Sequence, residues 1–439
     1  MKNYVTIFLL IFFVTAHAQS GDTNAADRLR QYVFALTKVM YHDVVNPPAA
    51  ARFYSYCMLT AYEIQSQLDT SLPSFQKNFR AYPVFNNAVD RNTVHSSFAV
   101  LYGLLETGKT ILPSGYLLEE DQQQLVAEFK PVMTPSILDS SVAFAKHISK
   151  SILQYSRQDG YFKLSTLRRY SLKGKDSTWR PTPPEYMAAV EPNWHTIRTF
   201  FLDSARQFPS LPAIPFNSSK GSSFYSLANE VYETGKALND EQKLIANYWD
   251  CNPFAVQYSG HMSVGLKKIS PGGHWMSITG IASKQAGLDF TRTIFLYTLV
   301  ACSLHDAFVV CWEEKFRSNR LRPETAINRF IDEKWKPLLQ TPPFPEYTSG
   351  HSVISTATGE LLTHFLGDKF LFNDTTETYI GLPSRQFTSF RQAADEACIS
   401  RLYGGIHFRD AIENGREQGR RISGYVIDRL AIRPLKAAR

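Results

Sequence analysis

The sequence predicts an all-α fold of two packed helical bundles, with the active site in the C-terminal bundle. Three observations predict it. Long alanine-containing segments are apolar at three- and four-residue steps, alternating strand patterns are scarce, and the residues with chemical potential gather in the last third of the chain.

The periodic segments in the first half are Ala26–Met40, Ala49–Leu68, Thr93–Leu112, Glu119–Lys130 and Ile137–Tyr155. Proline punctuates the chain at Asn46-Pro47-Pro48, at Arg180-Pro181-Thr182-Pro183-Pro184 and through Pro209–Pro215. The last of these runs into Ser218-Ser219-Lys220-Gly221-Ser222-Ser223, the best linker, so a soft boundary falls near residue 217. It separates an N-terminal helical region, 19–217, from a C-terminal catalytic helical domain, 218–439. Further helices are predicted at Tyr225–Tyr248, Met276–Arg292 and Thr293–Asn319. After the loop Pro342–Thr348 come a helix over Ser349–Leu366 and a last one around Arg385–Arg401 and beyond. No fixed-period repeat is visible.

With 439 residues, 44% of them hydrophobic, the chain can bury one large core or two moderate ones. Residues 1–18 read as a signal peptide: Lys2 precedes a short apolar run that ends at Ala16-His17-Ala18, a small-x-small cleavage pattern. Export to the periplasm or beyond is expected. The only other long apolar stretch, Thr293–Trp312, carries His305-Asp306 in its interior, which is expensive in lipid and routine in a buried helix, so no transmembrane helix is expected.

The formal net charge is +7, and loss of the leader removes only Lys2. That balance suits an anionic small molecule, and without a lysine-rich run or a recognised module it does not indicate nucleic-acid binding. Cys57, Cys251, Cys302, Cys311 and Cys398 are odd in number and widely spaced, with no CxxC pair, which favours buried free thiols.

Three segments carry chemistry. In Trp312-Glu313-Glu314-Lys315-Phe316-Arg317-Ser318-Asn319-Arg320-Leu321-Arg322-Pro323, Lys315 and Arg322 are seven residues apart. Pro323 pushes Arg322 to extended geometry just beyond the helix end. The bland alternative is a solvated basic helix end. In Pro345-Glu346-Tyr347-Thr348-Ser349-Gly350-His351, a turn leads into a helix start. Free amides and the dipole favour an oxyanion there, with the Ser349 hydroxyl as a donor and His351 placed to exchange a proton. A plain N-cap serine followed by a core histidine is the alternative. In Ser400-Arg401-Leu402-Tyr403-Gly404-Gly405-Ile406-His407-Phe408-Arg409-Asp410, two glycines bend the chain between a guanidinium and an imidazole. Arg401 can bind two oxyanion oxygens, and a neutral His407 can attack phosphorus or ligate a metal oxyanion. A structural arginine beside a satisfied histidine is the alternative.

Taken in order, the three segments resemble the signature shared by vanadium-dependent haloperoxidases, type-2 phosphatidic acid phosphatases and bacterial acid phosphatases. That signature is Lys, six residues, Arg-Pro; then Pro-Ser-Gly-His; then Ser-Arg, five residues, His. Lys315 to Arg322-Pro323 matches it, Thr348-Ser349-Gly350-His351 departs by threonine for proline, and Ser400-Arg401 to His407 matches. The signature core spans 315–410. The resemblance implies that Lys315, Arg322 and Arg401 neutralise oxyanion oxygens, that Ser349 and the Gly350 amide donate, that His351 is the acid–base residue, and that His407 binds vanadium or attacks phosphate. The family often carries an aspartate four residues after the second histidine. Here that position is Ala411, which leaves Asp410 the nearest candidate to orient His407, and Glu413 the next.

Vanadate and a phosphoryl group fit one cationic cradle, so the signature alone does not separate peroxidase from phosphatase. Length and export favour the haloperoxidase side. Trp249-Asp250-Cys251-Asn252-Pro253-Phe254, Pro271-Gly272-Gly273-His274-Trp275 and Cys311-Trp312-Glu313-Glu314-Lys315 resemble bacterial periplasmic iodide-oxidising relatives. The implied activity is vanadate-dependent oxidation of halide, iodide or bromide, by hydrogen peroxide to hypohalous acid. Lys315 would polarise bound peroxide, while Trp312 and Phe344 would wall the pocket or simply pack in the core. The alternative is an exported acid phosphatase working through a phosphohistidine. A divalent-metal phosphohydrolase at the dipeptides His42-Asp43 and His305-Asp306 is a weak third reading, because neither has an evident supporting ligand set.

Overall fold

The computed structural model describes residues 24–431, apart from 73–74, 86–89, 254, 260–261 and 266. The signal-peptide expectation at residues 1–18 and Phe254 lie outside the described residues. The first half contains α1 (residues 24–42), α2 (Pro47–Leu68), α3 (Ser96–Ile111), α4 (Glu119–Phe129) and α5 (Pro135–Arg157). The second contains α6 (Ser223–Lys236), α7 (Asp240–Tyr248), α8 (Pro271–Gln285), α9 (Phe290–Ser318), α10 (Pro323–Phe330), α11 (Gly350–Leu366), α12 (Phe390–Tyr403) and α13 (Arg409–Leu430). Two short antiparallel hairpins complete it: β1 (Val256–Ser259) with β2 (Met262–Gly265), and β3 (Phe372–Asp374) with β4 (Arg385–Phe387).

Local chemistry explains the boundaries. Asn46 caps α2 by accepting the Ala49 N–H at 2.9 Å, and Pro47-Pro48 occupy the first turn, where a missing N–H costs nothing. The predicted single helix over Tyr225–Tyr248 is two helices. Asn239 and Gln242 form a reciprocal capping box that starts α7, which the apolar period alone does not reveal. The break predicted at Arg292/Thr293 falls earlier, because Gly287 turns with φ +62° and Asp289 caps α9 through the Arg292 N–H at 2.7 Å. The predicted last helix from Arg385 begins as strand β4 and then divides into α12 and α13 at Gly404-Gly405. A Cβ on Gly405, whose φ is +75°, would lie 3.0 Å from Pro337.

Helix α9 is the spine. It packs on α2, α8, α11 and α13, while α11 also packs on α12. Among the described residues it is the one helix long and apolar enough to cross a membrane, and its apolar window is wholly buried in the protein. Buried residues from Ala25 to Leu202 and from Tyr248 to Val426 share one hydrophobic cluster. The proline-rich stretch that leads into Ser218–Ser223 is a strap docked on the C-terminal bundle: the Phe208 carbonyl accepts from Gln418 at 2.8 Å, Tyr347 donates to the Leu211 carbonyl, and Ile214 N–H donates to Asp410 at 3.1 Å.

Within α9, Asp306 accepts the N–H groups of Phe200, Phe201 and Leu202 at 2.7–3.0 Å, and His305 Nε2 lies 3.0 Å from the Arg198 carbonyl. This dipeptide ties the 198–202 segment to the spine and so has a structural use. Asp43 likewise accepts the Ser114 N–H at 2.8 Å. All five cysteines are buried and unpaired with one another.

Candidate active site

Three chain reversals bring the predicted residues together. At the end of α9, Asn319 adopts a left-handed conformation and its N–H returns to the Lys315 carbonyl at 2.8 Å, so Lys315 sits in the last turn. Arg322 is the extended residue ahead of Pro323 and precedes α10, as the proline requires. Ser349 caps α11, accepting the Ser352 N–H at 3.3 Å and the Ser352 hydroxyl at 2.9 Å, which leaves its own hydroxyl proton to donate. Gly350 is the first residue of α11, where no intrahelical carbonyl is within reach of its N–H. His407 lies in the turn between α12 and α13.

These reversals enclose a cleft lined by Trp312, Phe344, Gly350, His351, Arg401 and His407, among others. Lys315, Arg322 and Ser349 are fully buried behind its wall. All seven residues expected to hold or work on an oxyanion therefore meet in one place.

Asp410 does not orient His407. The partner is Glu346, whose Oε1 lies 2.8 Å from His407 Nδ1 and also accepts the Phe408 N–H at 3.0 Å. Asp410 is held instead by Arg320, at 2.6 and 2.7 Å, and by the Ile214 N–H, and Glu413 pairs with Arg416. Arg320 also donates to Glu346 at 2.7 Å, so one guanidinium joins the two carboxylates. A carboxylate only accepts, so His407 must carry its proton on Nδ1 and present the Nε2 lone pair. Burial, then the charges of Arg322, Lys315 and Arg401, hold His407 well below the usual histidine range, so the ring is neutral.

Arg322 meets that lone pair. Its Nη1 lies 3.2 Å from His407 Nε2 and 2.9 Å from the Ile406 carbonyl, Nε donates to the Phe344 carbonyl at 2.9 Å, and the buried Nη2 has no partner. Arg401 donates to the Trp249 carbonyl at 2.6 Å and the Ser400 hydroxyl at 2.9 Å, and its Nη1 makes no hydrogen bond among the described residues. His351 keeps a shielded Nε2 with no partner, and burial followed by the charge of Arg401 depresses its proton affinity strongly. None of Lys315, Arg322 and Arg401 forms an ion pair with a carboxylate among the described residues.

Lys315 departs from its expected role as a direct donor. Its ammonium is held by the carbonyls of Pro345, Glu346 and Thr348 at 3.2, 3.1 and 2.5 Å, which uses all three N–H bonds. It contributes charge behind the cleft and ties the loop before α11 to α9. Burial pulls it down to about 8. The ammonium lies 5.1 Å from the Phe344 ring and 5.8 Å from that of Trp312, and those rings touch at 5.0 Å between centroids, so both aromatics wall the cleft and cover a cation.

Glu346, Arg320 and the Trp249 carbonyl complete the site and escaped prediction. Glu346 carried one signal, as the only carboxylate between Glu333 and Glu360 in an otherwise apolar and polar-neutral loop. The donor set fits an oxyanion: one buried guanidinium nitrogen, Arg322 Nη2, and one imidazole nitrogen, His351 Nε2, lack partners, a helix begins at the cleft, and one imidazole lone pair is held outward.

Comparison with known proteins gives a consistent picture. Residues 295–433 match the family model described as the VCPO second helical-bundle domain. The crystal structure of the first bacterial vanadium-dependent iodoperoxidase superposes with a TM-score of 0.88 at 38% identity, covering 94% of this chain and 98% of that one. A bacterial vanadium-dependent chloroperoxidase is similar in fold, in its holo form (TM-score 0.65, 14% identity, 88% and 93% covered) and its apo form (TM-score 0.64, 14%, 88% and 95%). No curated protein sequence matches.

Proposed function

The chain belongs to the vanadium-dependent haloperoxidases, and from that premise we propose that it oxidises iodide or bromide with hydrogen peroxide, halide plus peroxide plus one proton giving hypohalous acid and water. Three buried cations with no carboxylate partner, closing on the outward lone pair of His407, carry this reading. An anion that completes such a cradle offsets the cost of burying its charges.

His407 Nε2 would hold the vanadium of vanadate. Arg322 Nη2, Arg401 Nη1, the Ser349 hydroxyl and the Gly350 amide would hold its oxygens. When bound, vanadate supplies an electrophilic metal that activates peroxide towards halide. The protein's own part is to fix and neutralise the anion and to move the proton. His351 Nε2 is the group free to accept a proton and return it to the leaving oxygen. Lys315 keeps the local potential positive from behind, and Trp312 and Phe344 limit water and shape the approach of halide. Iodide, the most readily oxidised of the common halides, is the first substrate to test. The reaction would take place outside the cytoplasm if Ala18–Gln19 is cleaved, which N-terminal sequencing of exported protein checks.

The deciding assay gives apo-protein orthovanadate and follows iodide and bromide oxidation by peroxide beside phosphomonoester hydrolysis. Vanadate-dependent halide oxidation is the expected result. Hydrolysis inhibited by vanadate, with no halide oxidised, would overturn the proposal.

A further inference from the structure

We propose that Cys251 Sγ, His274 Nδ1 and Glu377 Oε1 form a second metal site, for one borderline divalent cation of the Zn2+ type, beside the oxyanion cleft. The three atoms lie within 4.8 Å of one another, with Sγ 3.9 Å and Oε1 3.0 Å from Nδ1. A tetrahedral zinc centre with its usual bond lengths sets neighbouring ligand atoms roughly 3.3–3.6 Å apart, so small adjustments close the set around one ion.

Two features distinguish this cluster from an ordinary buried ion pair. Glu377 Oε1 is buried and makes no hydrogen bond in spite of its 3.0 Å approach to Nδ1, because the direction is wrong for N–H donation. Its ion pair with His274 lacks a hydrogen bond and compensates the buried oxygen only in part, which a cation between the three atoms would complete. The other ring nitrogen, Nε2, is 2.6 Å from Asp374 Oδ2, and Asp374 is itself anchored by the Thr376 N–H at 3.0 Å. A histidine clamped by a carboxylate through one nitrogen, with the other aimed at a thiol and a second carboxylate, has the arrangement that orients metal-ligating imidazoles. Trp249 stacks on the ring at 4.5 Å and 16°, which fixes its plane.

The ligand types set the class of metal. A thiolate and an imidazole with one carboxylate favour Zn2+ and its borderline neighbours over calcium or magnesium. Binding forms Zn–S, Zn–N and Zn–O bonds and releases the thiol proton and the Nδ1 proton. Two protons leave for one divalent cation, so the net charge among Asp374, Glu377, Asp250, Lys268 and Arg401 is unchanged. Cys251 also lines the oxyanion cleft, which provides the entry path. The ligands come from the loop after α7, the first turn of α8 and the turn after β3, so the ion would staple three segments. It would also steady Trp249, whose carbonyl holds Arg401.

The test uses the full chain stripped by chelator, under reducing conditions and without vanadate, so its outcome is independent of the halide chemistry. Co2+ is titrated as the probe. One Co2+ per chain is expected, with a thiolate-to-cobalt charge-transfer band, displacement by Zn2+, and a thermal midpoint raised by either ion. Cys251→Ser should lose the band, and Glu377→Gln should keep it while weakening binding at least tenfold. The absence of a saturable band in the wild-type protein overturns the proposal, as does a band that persists in Cys251→Ser or an unchanged affinity in Glu377→Gln.

Discussion

Glu346 accepts the Nδ1–H of His407 at 2.8 Å across 61 residues of chain, and this contact decides which nitrogen of the imidazole faces the cleft. Glu346→Gln offers an amide in place of an acceptor-only carboxylate and releases the tautomer. Vanadate affinity and halide turnover should each fall about 10- to 100-fold, the usual effect of losing such a support. Asp410→Asn, which loosens Arg320 instead, should fall by less. Equilibrium titration of both variants with vanadate distinguishes the two carboxylates.

Burial and neighbouring cations hold His407 and His351 well below 6.5 in the folded chain. A depressed folded value means that their contribution to stability is present above the unfolded value near 6.5 and is lost as pH falls below it. The apo-protein should therefore lose thermal stability between pH 7 and pH 5. His407→Gln, which cannot take up a proton, should show a smaller loss over the same interval. Comparing the two proteins cancels groups of opposite sign, among them His274, which its carboxylate Asp374 raises well above the ordinary range. Equal slopes in wild type and variant would contradict the assignment.

Lys315 is lowered to about 8, so its positive charge is present at neutral pH and fades as pH rises through that value. Lys315→Met should weaken vanadate binding about tenfold at pH 7, the scale of one buried charge acting on the anion without touching it. The wild-type-to-variant ratio should approach one by pH 9.5. Taking the ratio removes vanadate's own protonation from the comparison. Between pH 8 and 10.5 Lys315 itself holds its proton less in the folded chain than in the unfolded one, so its own contribution to stability rises while oxyanion affinity falls. Buried cysteines and tyrosines act with the opposite sign, and the difference between wild type and Lys315→Met isolates the lysine.

Phe344 touches Trp312 at 5.0 Å and stands over Arg322 at 5.0 Å. Phe344→Leu keeps an apolar wall of different shape. The iodide-to-bromide ratio of kcat/KM should change about threefold or more, with vanadate affinity altered by less, because a halide meets the wall and the oxyanion meets the cations. Steady-state kinetics with both halides, at saturating vanadate, measures it.

The helical architecture was legible because α5 buries a stripe at helical spacing, α2 and α11 are long runs buried nearly all round, and all three begin with caps at Thr134, Asn46 and Ser349. Breaks were less legible. Gly287 with Asp289, and Asn239 with Gln242, end and restart helices inside runs whose apolar period continues. The grouping of Lys315, Arg322, Ser349, Arg401 and His407 was legible through the resemblance of three short segments to the shared signature, not through any one segment alone. Glu346 was not, since its link to His407 depends on how the loop before α11 folds beneath the α12–α13 turn. Proximity in sequence pointed to Asp410, and Arg320 captures that carboxylate. Nor does spacing foretell that three loop carbonyls would occupy the Lys315 ammonium.

The central claim is that His407 and its ring of unpaired cations form a vanadate site. Equilibrium titration of the apo-protein with orthovanadate, wild type against His407→Ala, tests it most directly. The account predicts saturable binding of one vanadate per chain in the wild type, weakened at least a hundredfold in the variant, with halide oxidation lost in parallel. Equal affinity in the two proteins, or full turnover in His407→Ala, would contradict it.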